Sequence, residues 1–376
     1  MKNLILVSLD TVRADVAYSN KFETINRIRK EGVTFLNAIS SSPLTPISHA
    51  TVFTGLEPYN HGIRHLFKEK LSPRVKTLAQ VLNGKGYATG AIVSCPGMNR
   101  WYGFSKGFDH YDDEIPKLAD GSDPLLTVDV KKRGTALKRA NFVIDRAYDW
   151  LKSKRKEPYF LFVHFFDAHW PYRAPEKFGG DNAYEEEVAF ADHYLGIFLD
   201  LLEKDGLLEN TTIVVFSDHG EDLNGLYPND KGGERLGHPE ELGHGCLLYD
   251  QTQKVVLMVK DKSLPRGKAI EQQVRLVDLC PTMLALLGIK ISYKMDGISL
   301  IPIVISNIDF GLLAYSETFY PEEQTGATGK FGDIKNKISS RIANKYKIVF
   351  NLNSSQIEMY DLKNDENELN NLYKPV

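Results

Sequence analysis

The sequence predicts an α/β fold in which a mainly parallel central sheet has helices on both faces and a small antiparallel subdomain follows it. Two observations predict this. Continuous apolar runs alternate with amphipathic segments up to about residue 300. Such runs suit parallel strands buried on both faces, with the intervening segments as crossover helices. Beyond residue 300 the texture changes to short strand-like stretches with no helical pattern between them.

In chain order, "NLILVSL" near the N-terminus is strand-like, followed by "YATGAIVS" at 87–94, "YFLFVHFF" at 159–166, "TTIVVFS" at 211–217 and "KVVLMVK" at 254–260. Between them "RVKTLAQVLNGKG", "LKRANFVIDRAYDWLKSKRK" and "AYEEEVAFADHYLGIFLDLLEKDG" carry helical periodicity. "VRLVDLCPTMLALLGIK" is a further helix, stopped by Gly288. "GLLAYSETF", "NKYKIVFNL" and "SQIEMYDLK" form the C-terminal strands. The boundaries that follow are 1–300 for a catalytic domain and 301–376 for the subdomain.

Composition narrows the function classes. Of 376 residues, 42% are hydrophobic and 25% charged, which is ordinary for a globular protein. The formal net charge of -3 gives no reason to expect nucleic acid or an anionic membrane as partner. The opening apolar run is cut off by Asp10, and no run approaches the ~18 apolar residues of a membrane span. The three cysteines, Cys95, Cys246 and Cys280, form no CxxC pair and read as reduced core thiols. A soluble, cytoplasmic protein is expected. The sequence does not fix an oligomeric state.

Three strands end in metal-ligand residue types. The first ends at Asp10, the one at 211–217 at Asp218 and His219, and the one at 159–166 runs into Asp167 and His169. Ligands of open parallel sheets bind at the carboxyl ends of the strands, and oxygen with imidazole donors suits a divalent metal. His244, in a Gly-flanked loop, is positioned to join them. Any one of these alone reads as a helix cap or a loop. His164 lies inside a strand and reads as a satisfied core residue. Thr45-Pro46 reads as a helix start, with Thr45 as N-cap and Pro46 at the first helical position. A helix N-terminus also attracts anions, so a hydroxyl there suits a nucleophile.

These segments, with "SHATVFTGLEPYNHG", "HFFDAHWPY", "VVFSDHGEDL", "GHGCLLYDQTQKVVLMV" and "MYDLKNDENELNNL", resemble the sulfatase family of the alkaline phosphatase superfamily, in order and over nearly the whole chain. The resemblance implies an alkaline phosphatase-like fold and a metal-dependent ester hydrolase. It implies metal ligands at Asp10, Thr45, Asp218 and His219, and catalytic roles for Thr45, His169 and His244. In two-metal relatives a second ion takes an Asp, a His and a distant His, which Asp167, His169 and His244 would supply; otherwise these positions grip the substrate. Arg13 and His49 would stand behind the ligands as orienting partners.

Two departures refine the expectation. Sulfatases carry Cys-x-Pro-x-Arg, or Ser for Cys, and convert the first residue to formylglycine. The matching residues here are Thr45, Pro46, Ile47, Ser48 and His49, and formylglycine cannot be made from Thr by that route. Relatives with Thr at this position resemble phosphodiesterases, phosphatases, phosphonate hydrolases and phosphoethanolamine transferases more than true sulfatases. Secondly, many sulfatases place adjacent aspartates after the first strand and hold calcium, whereas Asp10 is followed by Thr11 and the later pair is Asp218-His219. An imidazole ligand favours Zn2+ or Mn2+ over Ca2+ or Mg2+.

The expected function is hydrolysis of a small-molecule phosphate ester (diester, phosphonate or monoester) through Thr45. The alternatives are a sulfuric ester hydrolase, a phosphoryl-group transferase and a catalytically silent binding protein. Substrate specificity is expected in the loops 95–135 and 220–242.

Overall fold

The computed structural model describes residues 1–117, 120–122, 138–153, 156–174, 177–227, 238–239, 241, 243–323, 335–352, 354 and 356–374. Much of both expected specificity loops, including 123–135 and 228–237, lies outside the described residues.

The large sheet contains β1 (Asn3–Leu9), β2 (Val33–Ile39), β3 (Ala88–Ile92), β4 (His110–Asp112), β5 (Tyr159–Phe165), β6 (Thr211–Phe216), β7 (Lys254–Val255), β8 (Leu257–Lys260) and β9 (Lys268–Arg275). Its order is β4-β3-β5-β1-β6-β8-β2-β7, with β9 also beside β2. From β4 to β6 all pairings are parallel. β8 then runs antiparallel to both β6 and β2, while β9 is parallel to β2. The expected strand at 254–260 is thus two short strands, and β2, β4 and β9 were not expected. β9 occupies the start of the stretch expected as one helix, whose helical part is Leu279–Leu286. Gly288 follows it at φ 71, the left-handed conformation that ends helices.

Both faces of the parallel strands are buried because alternate residues serve different layers. Leu4, Leu6, Phe160, Phe162 and Val214 join the helix Thr45–Thr54 on one side. Ile5, Val7, Leu161, Val163 and Val215 meet residues of the helices Glu23–Glu31, Ala140–Ser153 and Ala183–Lys204 on the other. The helix at Leu78–Asn83 starts with a reciprocal capping box between Thr77 and Gln80. A separate antiparallel sheet contains β10 (Leu313–Thr318), β11 (Lys337–Ile342), β12 (Tyr346–Asn351) and β13 (Ile357–Asp361), in that order. The molecule therefore has an α/β body with a small antiparallel sheet near its C-terminus.

Candidate active site

Register brings the candidate residues to one edge. Ser8 on β1 lies opposite His164 on β5 and Phe216 on β6, so Asp10 and Asp218 leave their strands side by side. Both carboxylates are buried, at 1% and 0% exposure. Thr11 adopts φ 59, a strained conformation for a β-branched residue. In that conformation its N–H donates to Asp218 Oδ1 at 3.2 Å and its hydroxyl to the Asp10 carbonyl at 2.7 Å. The His219 N–H also donates to Asp218 Oδ1, at 3.0 Å.

Thr45 is not the N-cap. Leu44 holds that position in extended conformation, and Thr45 is the first residue of the helix Thr45–Thr54. Its hydroxyl donates to Asp10 Oδ2 at 3.2 Å and lies 3.3 Å from His219 Nε2. The hydroxyl therefore faces the carboxylates at a helix N-terminus and is not spent on capping. His49, one turn on, is fully buried. Its Nδ1 meets the Thr45 carbonyl at 2.8 Å and its Nε2 meets Ser8 Oγ at 2.9 Å. Burial pushes its pKa down to about 3, so this imidazole is neutral. Its Nδ1 also lies 3.5 Å from Asp218 Oδ2.

Three imidazoles gather beside the carboxylates. His219 Nδ1 faces the Gly220 carbonyl at 3.0 Å, His169 Nδ1 the Trp170 carbonyl at 2.7 Å, and His244 Nδ1 the Glu221 carboxylate at 3.0 Å. Each ring thereby keeps Nε2 for other partners. The His244 ring lies 4.2 Å from that of His219 and 4.9 Å from that of His169. Burial holds His169 and His244 below the ordinary imidazole range.

Asp167 does not join them. Its oxygens accept from the Ala140 N–H at 3.2 and 3.1 Å and face Arg139 Nε at 3.3 Å, at the start of the helix Ala140–Ser153. The chain turns after β5, so the Asp-x-His spacing sends the two side chains apart. This corrects the expectation of Asp167 as a second-metal ligand. The Arg13 guanidinium forks onto Asp15 at 3.0 and 2.8 Å and reaches the Glu221 carbonyl at 3.4 Å.

His164, expected as a bland core residue, belongs to the site's support. Its Nε2 lies 3.1 Å from Asp10 Oδ2, while its Nδ1 is held by Ser94 Oγ at 2.9 Å. Burial keeps it neutral, with a pKa near 4. Glu221, which holds His244, was also missed. A strand position opposite Ser8 was the only available signal for His164, and it needs the register. For Glu221 the available signal was its place two residues after His219.

The donor set fits a divalent cation. Asp10, Asp218 and His219 bring one donor atom each within 4.8 Å of one another. Asp10 Oδ1 and Asp218 Oδ2 are buried without a hydrogen-bond partner. Two unpaired carboxylate oxygens in one buried site are costly unless a cation joins them. Asp10, Cys95 and His164 form a second such group. There, however, the His164 ring already bonds Asp10, and burial together with the nearby carboxylates holds the Cys95 thiol protonated.

A hydroxyl at a helix N-terminus, facing a buried two-carboxylate and imidazole cluster at the carboxyl edge of an α/β sheet, defines a metal-site ester hydrolase. The chain belongs to the sulfatase family of the alkaline phosphatase superfamily: the Sulfatase family model matches residues 2–289. The model for the N-sulphoglucosamine sulphohydrolase C-terminal region matches residues 244–376. The uncharacterized sulfatase YidJ of Escherichia coli is 22% identical over 100% of this chain and 83% of its own length. Arylsulfatase K of Bos taurus is 22% identical over 75% of this chain, and the match spans 61% of that relative. Among solved structures, BT4656 in complex with D-glucosamine-2-N,6-O-disulfate gives a TM-score of 0.76 at 18% identity, over 99% of this chain and 93% of that one. The phosphonate monoester hydrolase of Agrobacterium radiobacter gives 0.75 at 19%, over 99% and 91%. At these identities the likeness to solved structures is one of fold. Among the described residues no helix is long and apolar enough to cross a membrane.

Proposed function

We propose that the chain is a divalent-metal-dependent hydrolase of phosphorus esters, diesters or phosphonates ahead of monoesters, with Thr45 as nucleophile. The observation that carries this reading is the Thr45 hydroxyl, 3.2 Å from Asp10 Oδ2 and 3.3 Å from His219 Nε2. Asp10, Asp218, His219 and Thr45 would hold the ion, with zinc or manganese ahead of calcium because of the imidazole. A bound divalent ion supplies Lewis-acid activation of a hydroxyl and charge stabilisation at phosphorus.

The chain's own groups do the rest. The helix N-terminus before Thr45 orients the substrate anion. Thr45 Oγ1 forms the bond to phosphorus in line with the leaving oxygen, and its proton leaves toward Asp10 Oδ2, the acceptor already in place. His169 and His244 turn Nε2 to the site; each can grip a nonbridging oxygen or protonate the leaving group only as imidazolium, so the arriving substrate anion must first draw a proton from water onto Nε2 against the burial that lowers both rings. Water then attacks phosphorus, breaks the bond to Thr45 Oγ1 and restores the hydroxyl. A Thr ester of sulfate would clear slowly, because Thr45 lacks the second hydroxyl through which formylglycine expels sulfate. Neutral, enclosed His49 adds no fixed charge where sulfatases place arginine, which favours a singly charged substrate. The same reading assigns residues 1–300 to catalysis, 301–376 to an appended subdomain, and the protein to the cytoplasm, in keeping with its buried free cysteines.

Sulfate ester hydrolysis is the second reading, supported by the family and its sulfatase relatives. The test is turnover of aryl phosphodiester, phosphonate, phosphomonoester and sulfate substrates with zinc, manganese and calcium supplied separately, followed by mapping of the trapped enzyme ester. Phosphorus esters should turn over faster, with the label on Thr45. Label on Ser48, or strong sulfatase activity with unmodified Thr45, overturns the proposal.

A further inference from the structure

The C-terminal sheet is inverted in polarity. Its buried inner face carries the row Ala314, Arg341, Lys347 and Tyr360, set by cross-strand register. Arg341 pairs with Asp250, and Lys347 reaches Asp250 at 3.3 Å and Glu368 at 2.6 Å. Tyr249 and Tyr360 both donate to Glu358 at 2.8 Å. The outer face is mainly apolar: Leu313, Ile342 and Tyr346 form one cross-strand row that ends at Asp361, and Ile338, Phe350 and Ile357 another that begins at Glu317. One-sided sheets ordinarily bury the apolar face and wet the polar one. This sheet does the reverse.

The exposed area is large. Leu313 keeps 49% of its surface, and Ile342, Tyr346 and Phe350 keep 40% each. The segment leading into β10 exposes Ile305, Ile308 and Phe310, at 57%, 43% and 44%. With large side chains of about 150–250 Å², the four on the strands leave roughly 350 Å² uncovered, before the half-buried residues between them are counted. That lies within the ~300–600 Å² typical of a monomer's largest patch, and the preceding segment adds further apolar surface toward the ~800 Å² that each partner of a standard interface buries.

We propose that this face is the interface of a twofold homodimer. A twofold contact brings one surface against its own copy, so a charged face would repel itself. Here the three cationic side chains of the strands, Lys337, Arg341 and Lys347, are all buried on the inner side. Of the two acids in register with the outer face, Glu317 is bound by Arg64 at 2.8 and 2.5 Å, and Asp361, on the last strand, accepts from the Lys363 N–H and the Asn364 amide at 3.1 and 2.7 Å. The same lack of outward cations disfavours a lipid surface, which calls for a basic rim.

Sedimentation velocity of the full chain, from sub-micromolar to about 50 µM, should show a dimer at the upper end. Ile342→Lys and Tyr346→Lys should each weaken dimerisation at least tenfold without changing Tm or turnover. Phe142→Lys, on the exposed side of the helix Ala140–Ser153, should leave the dimer intact. Hydrogen exchange on the wild-type chain covers the case of a lysine variant that does not fold: protection over residues 338–350 should rise with concentration. A chain that stays monomeric at about 50 µM overturns the proposal. A dimer that survives both lysine variants, concentration-dependent protection that maps elsewhere, or a monomer that sediments with anionic vesicles also overturns it.

Discussion

Asp218→Asn separates holding a metal from holding the fold. Asp218 Oδ1 accepts two backbone N–H groups, at 3.2 and 3.0 Å, and an asparagine oxygen can keep both. What the variant loses is the charge on Oδ2, which is buried without a hydrogen-bond partner and stands 3.4 Å from His219 Nε2. In chelator, removing an unpaired buried charge should leave the variant as stable as the wild type or stabilise it by about 1–3 kcal/mol. With zinc or manganese at 100 times its Kd, the wild type should gain about 2.7 kcal/mol, and the variant far less at the same ion concentration. Denaturant titrations of both proteins, with chelator and with each ion, measure all four quantities. A variant that is clearly less stable than wild type in chelator would mean that Asp218 is a structural partner. An unchanged metal-dependent gain would remove it from the ligand set.

Three further outcomes are expected. Gly220→Ala puts a methyl carbon 1.9 Å from the Gln251 carbonyl oxygen; the loop carrying His219 must move, at about 1–3 kcal/mol of stability, and turnover should fall with it, which paired unfolding and rate measurements will show. His169→Ala and His244→Ala should each lower turnover by roughly 10²–10⁴ while calorimetry shows little change in Tm; near-normal rates in both would return these rings to a structural role. Asp192, buried and accepting from the Thr24 and Ile25 N–H groups at 3.0 and 2.7 Å, has its carboxyl pKa raised from 3.8 to about 6 by burial. The folded state thus holds this proton more tightly than the unfolded one, so its contribution to stability is fullest below pH 3.8 and is lost as pH rises through about 6. Stability measured against pH should therefore fall less steeply across that window in Asp192→Asn than in wild type.

The strand ends were legible because an apolar run followed by Asp or Asp-His is a local pattern. Register then did what the pattern implied for Asp10, Asp218 and His219. β2 and β9 escaped notice for opposite reasons. β2 has a fitting run, but its parallel partner β9, "KAIEQQVR", buries Gln273 and has no apolar run. Gln273 fits only because its amide donates to the Leu312 and Arg341 carbonyls at 2.6 and 3.1 Å, partners far along the chain. Asp167 followed from the ligand order of two-metal relatives, and the turn after β5 instead sets its carboxylate on the Ala140 N–H and Arg139. His164 reads as core in one dimension, and only pairing with β1 reveals that it faces Asp10.

The C-terminal sheet also grips the loops of the candidate site. Ser316 Oγ donates to the Ser40 carbonyl at 2.6 Å, the Glu317 N–H donates to the Ser41 carbonyl at 3.0 Å, and Thr318 Oγ1 donates to the Gly245 carbonyl. One strand thus fastens the approach to Thr45 and the residue after His244. Since the inner face of the sheet is ionic and matched to Asp250 and Glu368, the sheet cannot be exchanged for an unrelated module without stranding those acids. A protease cut or a deletion in β10 would therefore silence a site to which that strand lends no reacting atom.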